Sequence, residues 1–307
     1  MLLFFAAAVL TGALTPIQTA ANARLRQNVG DVAAVTLISF TVSLFALLAA
    51  AAAGGGLVLP TTDMLRSAPW WSWCGGLIAL FTIAASIQLF KALGQFQAAL
   101  LPMLGQLLFS LVIDHFGLFG ARVIPLSAAR ALAACLLIAG ALSAAARPNV
   151  KAGAPRGGAG GTVRLWQTVG VGAGCLMATI GAIYGSLGTM LGSAVSASAI
   201  SFAAAVAVAA LFCAVTGRIK SIRGAFSGGP WWMWLGGICG ALAVCGNAWL
   251  IPRIGAGAFF MALLLGQISL SLCMERRGLL GAPQKNITAA QLAGAAMMFA
   301  GAVIVRL

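Results

Sequence analysis

Two stretches of the chain repeat each other at a fixed distance, and this repetition limits the fold more than any other feature. Gly105 to Gly120 reads Gly-Gln-Leu-Leu-Phe-Ser-Leu-Val-Ile-Asp-His-Phe-Gly-Leu-Phe-Gly. From Gly266 to Gly281, 161 residues later, it reads Gly-Gln-Ile-Ser-Leu-Ser-Leu-Cys-Met-Glu-Arg-Arg-Gly-Leu-Leu-Gly. The same offset relates Pro69-Trp70-Trp71-Ser72-Trp73 to Pro230-Trp231-Trp232-Met233-Trp234, each followed by a Gly-Gly pair. Near the start, Gly12, Leu14, Leu25, Gly30 and Ile38 to Phe40 match Gly174, Leu176, Leu187, Gly192 and Ile200 to Phe202 at an offset of 162. Fixed-period similarity of this kind marks a chain built from two copies of one unit.

Each unit is almost wholly apolar. The chain is 62% hydrophobic and 7% charged, far below the roughly 25% charge of a soluble domain. About 20 apolar residues in a helix cross the hydrocarbon of a bilayer. Ten stretches qualify: Leu2–Ala20, Val32–Ala53, Trp70–Phe90, Gln95–Ile113, Leu126–Ala146, Leu165–Tyr184, Ser193–Val215, Trp231–Ile251, Gly255–Met274 and Thr288–Val305. The expected fold is therefore all-α, a polytopic membrane protein. It has a first five-helix repeat over 1–150, a Gly/Pro/basic linker over 151–163 and a second five-helix repeat over 164–307. Five being odd, the second unit enters the membrane inverted, which places a shared site near the midplane between the repeats.

The net charge of +14 would suggest nucleic acid in a soluble protein. Here most of the bases lie in loops. Thirteen of the 18 Lys and Arg fall after odd-numbered spans. The positive-inside rule then puts those loops in the cytoplasm and both termini outside. Met1 to Ala23 is not read as a cleaved leader, because no base precedes its apolar run and it matches an internal span.

Seven cysteines lie within spans with no Cys-x-x-Cys pair, and one histidine gives no metal cluster, so no metal or cofactor is expected. The tryptophan clusters after Pro69 and Pro230 read as interface anchors. A polar stripe runs through spans 4 and 9: Gln106, Ser110 and Asp114, then Gln267, Ser271 and Glu275, spaced by four and so near one helix side. Each glutamine lies 12 residues past a glycine turn expected at Lys91–Gly94 or Pro252–Gly255, about 18 Å along a helix and mid-bilayer. Such an amide either bonds a neighbouring helix or lines a central site. Asp114 and Glu275 fall at the far interface, as acids capped by His115 and Arg276-Arg277 or as coupling groups. Substrate-contact candidates are Gln18, Asn22, Ser86, Gln106, Ser110, Tyr184, Asn247, Gln267 and Ser271.

Together these motifs resemble the drug/metabolite transporter superfamily, in particular its YdcZ-type branch of five-helix units. The resemblance rests on Pro-Trp-Trp-x-Trp-x-Gly-Gly, Gly-Gln and Asp-His-Phe-Gly-Leu-Phe-Gly, and covers nearly the whole chain. It implies a multi-pass bacterial inner-membrane transporter, often an exporter, and no enzyme. The second unit departs from it, with Glu275-Arg276-Arg277 in place of Asp-His-Phe. Related small multidrug pumps use a first-span carboxylate for proton coupling; spans 1 and 6 here hold no acid, so that mechanism does not carry over. The expected cargo is a small neutral or weakly polar amphipathic metabolite, because few charges lie in the spans. Expected partners are the bilayer, that small molecule and a proton or other coupling ion, with no nucleic acid, in a monomer or homodimer. The alternatives are a lipid-carrier flippase subunit and a non-transporting membrane scaffold.

Overall fold

A computed structural model describes residues 2–54, 56–145, 160–281 and 289–306. Among these residues every regular element is helical. The helices are α1 (Leu2–Val29), α2 (Val32–Ala53), the short α3 (Thr62–Ser67), α4 (Gly75–Phe116), α5 (Ala128–Ala145), α6 (Gly160–Met190), α7 (Ala194–Val215), α8 (Leu235–Ile254), α9 (Ala256–Arg277) and α10 (Ala289–Arg306). Six helical stretches are long and apolar enough to cross a membrane, and shorter apolar helices cover Leu101–Phe116, Ala128–Gly140 and Leu292–Gly301. The linker expected over 151–163 lies outside the described residues up to 159, and α6 already begins at Gly160.

Local chemistry sets the ends. Asp31 accepts from the Ala34 amide at 2.9 Å and starts α2, and Ser193 accepts from Ser196 at 3.2 Å and starts α7. These side chains satisfy amides that a first turn leaves open. The Gly-Leu-x-Gly tail of the repeated motif proves to be a helix stop. Gly117 and Gly278 take φ of +64° and +65° as C-caps of α4 and α9. Phe119 and Leu280 follow with φ of +58° and +52°. With Gly120 and Gly281 at +70° and +76°, three left-handed residues in so short a turn send the chain sharply away.

The turn expected at Lys91–Gly94 differs from its counterpart in the other half. Gly255 interrupts α8 and α9 with φ of +86°, whereas α4 stays helical from Gly75 to Phe116. It is nonetheless not straight. A Cβ placed on Gly170 would lie 2.9 Å from Leu101 and 3.4 Å from Leu89, yet twelve residues of straight helix span about 18 Å. Gly75 packs on Tyr184 and Gly120 on Ser186, so the two ends return to one level of α6. α4 thus doubles back into two legs, residues 75–93 and 101–116.

The packing is an exchange. α1 lies against α8 and α9, and α6 lies against both legs of α4. The crossings are backbone-close. A Cβ on Gly12 would overlap the Leu263 carbonyl, and one on Gly266 would overlap that of Val9. At the equivalent places, Gly174 meets the Pro102 carbonyl and Gly105 meets Val171. Each pair maps onto the other by the sequence repeat. α2 packs on α7 and α5 on α10, completing the set. Around the crossings lies an apolar centre that includes Ala8, Ile113, Ala178, Leu250 and Phe259.

Candidate functional site

Polar side chains enter this apolar frame in three places. The first is the seam of α1, α2 and α8. Ser39 donates to Asn22 Oδ1 at 2.6 Å, and Ser43 donates to the Gly237 carbonyl at 2.6 Å. Gln18 and Asn22 reach their depth because Gly236 and Gly240 of α8 leave room: added Cβ atoms would strike Asn22 Oδ1 and approach Gln18 Nε2 to 2.9 Å. In the other half Tyr184 occupies the place of Asn22, packed on Gly75. Two expected contact residues, Gln18 and Asn22, are thus brought together, on a helix seam.

The second place is the end of α4. Asp114 is fully buried and accepts from the Ala256 amide at 2.6 Å, the Gly257 amide at 2.9 Å and Arg130 Nη2 at 2.9 Å. It caps α9, a helix of the other half, where the partial positive charge of the helix start favours a carboxylate. Arg130, in the first turn of α5, also donates to the Ile124 carbonyl at 3.3 Å. The expected cap by neighbouring His115 is therefore corrected. His115 accepts from the Leu126 amide instead, and the partners of Asp114 come from α5 and α9. Glu275 is half-buried at the end of α9.

The third place holds Asn247, discussed below. Gln106 and Gln267 are half-buried, each next to a crossing glycine, and no hydrogen bond joins them among the described residues. Ser110 is buried and donates to its own helix at Leu107, 2.7 Å away; Ser271 is half-buried. The side chain of Ser86 lies outside the described residues. Arg130, Ser39 and Ser43 were missed by the sequence reading. For Arg130 a signal existed, since a base inside an apolar span requires a partner.

Trp70 and Trp231, expected as interface anchors, are 78% and 75% exposed. Arg218 pairs with Asp31 at 2.9 Å, tying the α1–α2 turn to the segment after α7. Asn28 donates to the Gly228 carbonyl beside it.

A family model described as "Putative inner membrane exporter, YdcZ" matches residues 3–143 and again 165–304. The chain belongs to that family. It is a multi-pass inner-membrane protein of transporter type, and its likeness to that family covers both halves. A solved structure titled only "Crystal structure of protein" is similar over 98% of this chain and 94% of its own, with a TM-score of 0.65 and 19% identity. At that identity it supports the fold alone. No curated protein matches the chain.

Proposed function

We propose that this YdcZ-family protein is a secondary exporter that moves a small neutral or weakly polar, amphipathic metabolite by alternating access. The reading takes ten crossings as two inverted five-helix repeats, 1–150 and 164–307, with a midplane site between them and both termini outside. One observation carries it: the paired exchange of α1 and α6 at glycine–carbonyl crossings related by the repeat. Each half holds the first helix of the other, so rocking one half must move the other through an equivalent path. The ion pair of Asp114 and Arg130 sits at a helix end, and the apolar centre favours a neutral cargo over a charged one.

The test is purified protein in liposomes with an internal pH dye, screened against neutral and amphipathic metabolites with and without an imposed proton gradient. Solute-dependent proton movement that is lost in Asp114→Asn supports coupling through that acid. Solute entry with no proton signal leaves a facilitator or another coupling ion. Absence of solute movement across a broad panel refutes the transporter reading.

A further inference from the structure

Asn247 occupies an unusual position. Asn247 is half-buried, and its buried Oδ1 has no hydrogen-bond partner among the described residues. It is the thirteenth residue of α8, about 18 Å from the start of a helix about 30 Å long, and therefore near mid-bilayer. Its neighbours fix where it points. Gly246 packs on Thr11 of α1, and Ala248 packs on Gly188 of α6. Leu250 and Ile251, three and four residues on and hence on the same helix side, belong to the apolar centre. Asn247 thus sits in the wedge between α1 and α6, the two exchanged helices, with Tyr184, Ile180 and Val244 in the adjoining apolar cluster.

A buried amide in hydrocarbon normally finds a protein partner, because leaving it unpaired costs free energy. Gln18 and Asn22, at the seam with α2, have polar atoms close by; Asn247 does not. We propose that Asn247 is a specificity-determining contact whose side-chain carbonyl awaits a donor on the cargo. The cargo then presents at least one O–H or N–H beside an apolar body, and a fully alkylated analogue is rejected. This inference rests on the transporter reading above and adds the substrate class.

Two measurements test it on the full chain in detergent and in liposomes. The first is thermal stability of Asn247→Leu. An idle amide replaced by an apolar side chain of similar volume leaves stability unchanged or raised; a melting temperature lowered by several degrees would mean that the amide is a structural group, and would overturn the proposal. The second uses matched probes, benzamide against N,N-dimethylbenzamide and 4-propylphenol against its methyl ether, read by thermal shift across a concentration series. Wild type is expected to bind each donor-bearing member about three- to tenfold more tightly than its alkylated partner, and Asn247→Leu to lose that preference. No preference in wild type, or one that persists in Asn247→Leu, overturns the assignment. Liposome transport that continues unaltered in Asn247→Leu would sink this contact while leaving the transporter reading intact.

Discussion

The clamp at Asp114 gives the sharpest quantitative expectation. Replacing Asp114 by Ala removes three hydrogen bonds at once: two to the first turn of α9 and one to Arg130. It also strands a guanidinium whose side chain is 11% exposed. Breaking a buried ion pair from one side costs about 3–5 kcal/mol, because the surviving charge loses its compensation. Arg130→Met is the milder change, about 1–3 kcal/mol, since the α9 amides still hold the carboxylate. The double variant Asp114→Asn/Arg130→Met removes both charges and leaves an amide oxygen able to accept from α9. Its cost should fall short of the sum of Asp114→Asn and Arg130→Met by about 2 kcal/mol, the size of coupling seen between residues in contact. The buried thiols of Cys213 and Cys239 make a thiol-reactive dye a reporter of unfolding in detergent, against the constant signal of exposed Cys135. At about 2–4 °C per kcal/mol, Asp114→Ala should melt roughly 6–20 °C below wild type. Additivity of the two single changes within about 0.5 kcal/mol would refute the clamp.

Further expectations follow from the crossings and the seam. Gly174→Ala and Gly266→Ala drive a methyl group into the Pro102 and Val9 carbonyls and should abolish accumulation of folded protein. Gly172→Ala, in the same helix as Gly174 but with nothing within 4 Å, should be neutral or stabilising by about 0.5–1 kcal/mol. Equal behaviour of Gly172→Ala and Gly174→Ala in a detergent melt would contradict the close approach. Ser43→Ala leaves the Gly237 carbonyl without its 2.6 Å donor and should cost about 1 kcal/mol in the same assay. If Gln106 and Gln267 line the path, Gln106→Ala and Gln267→Ala lower liposome transport at normal protein levels; unchanged transport by both removes them from the site. Single cysteines at positions 217 and 121 in a cysteine-free background test the orientation. An impermeant thiol reagent should reach position 121 from outside the cell and position 217 only after lysis.

Much of this architecture was legible in the residues because the bilayer makes composition speak directly: an apolar run of sufficient length has few structural options. The repeat was equally plain, since both copies kept their glycines, and the close crossings show why Gly12, Gly105, Gly174 and Gly266 tolerate no side chain. What escaped was nonlocal. A turn was expected at Lys91–Gly94, and the chain does reverse between residues 93 and 101, but without the positive-φ glycine break that Gly255 makes between α8 and α9. The partners of Asp114 lie 16, 142 and 143 residues away, beyond any spacing rule. Gln18 and Asn22 are substrate-contact candidates on polarity; that α8 seats them in glycine notches is a feature that polarity alone does not reveal. Asn247 and its counterpart Ser86 were singled out on polarity, but only packing distinguishes a satisfied amide from an idle one.

The exchange of α1 and α6 also bears on how the chain is made. α1 leaves the ribosome well before its seat, α8 and α9, whose contact residues Gly246, Leu263 and Gly266 come some 250 positions later. At about 5–20 residues per second, that interval is roughly 10–50 s. During this time α1 stands in the bilayer with Gly12 and Thr11 facing lipid and no native neighbour beyond α2. α6, in contrast, emerges after both legs of α4 and can dock as soon as it is inserted. Assembly thus has a built-in order, with α1 settled only after α9, and the stretch of synthesis between α2 and α9 is when the nascent protein is most open to quality control.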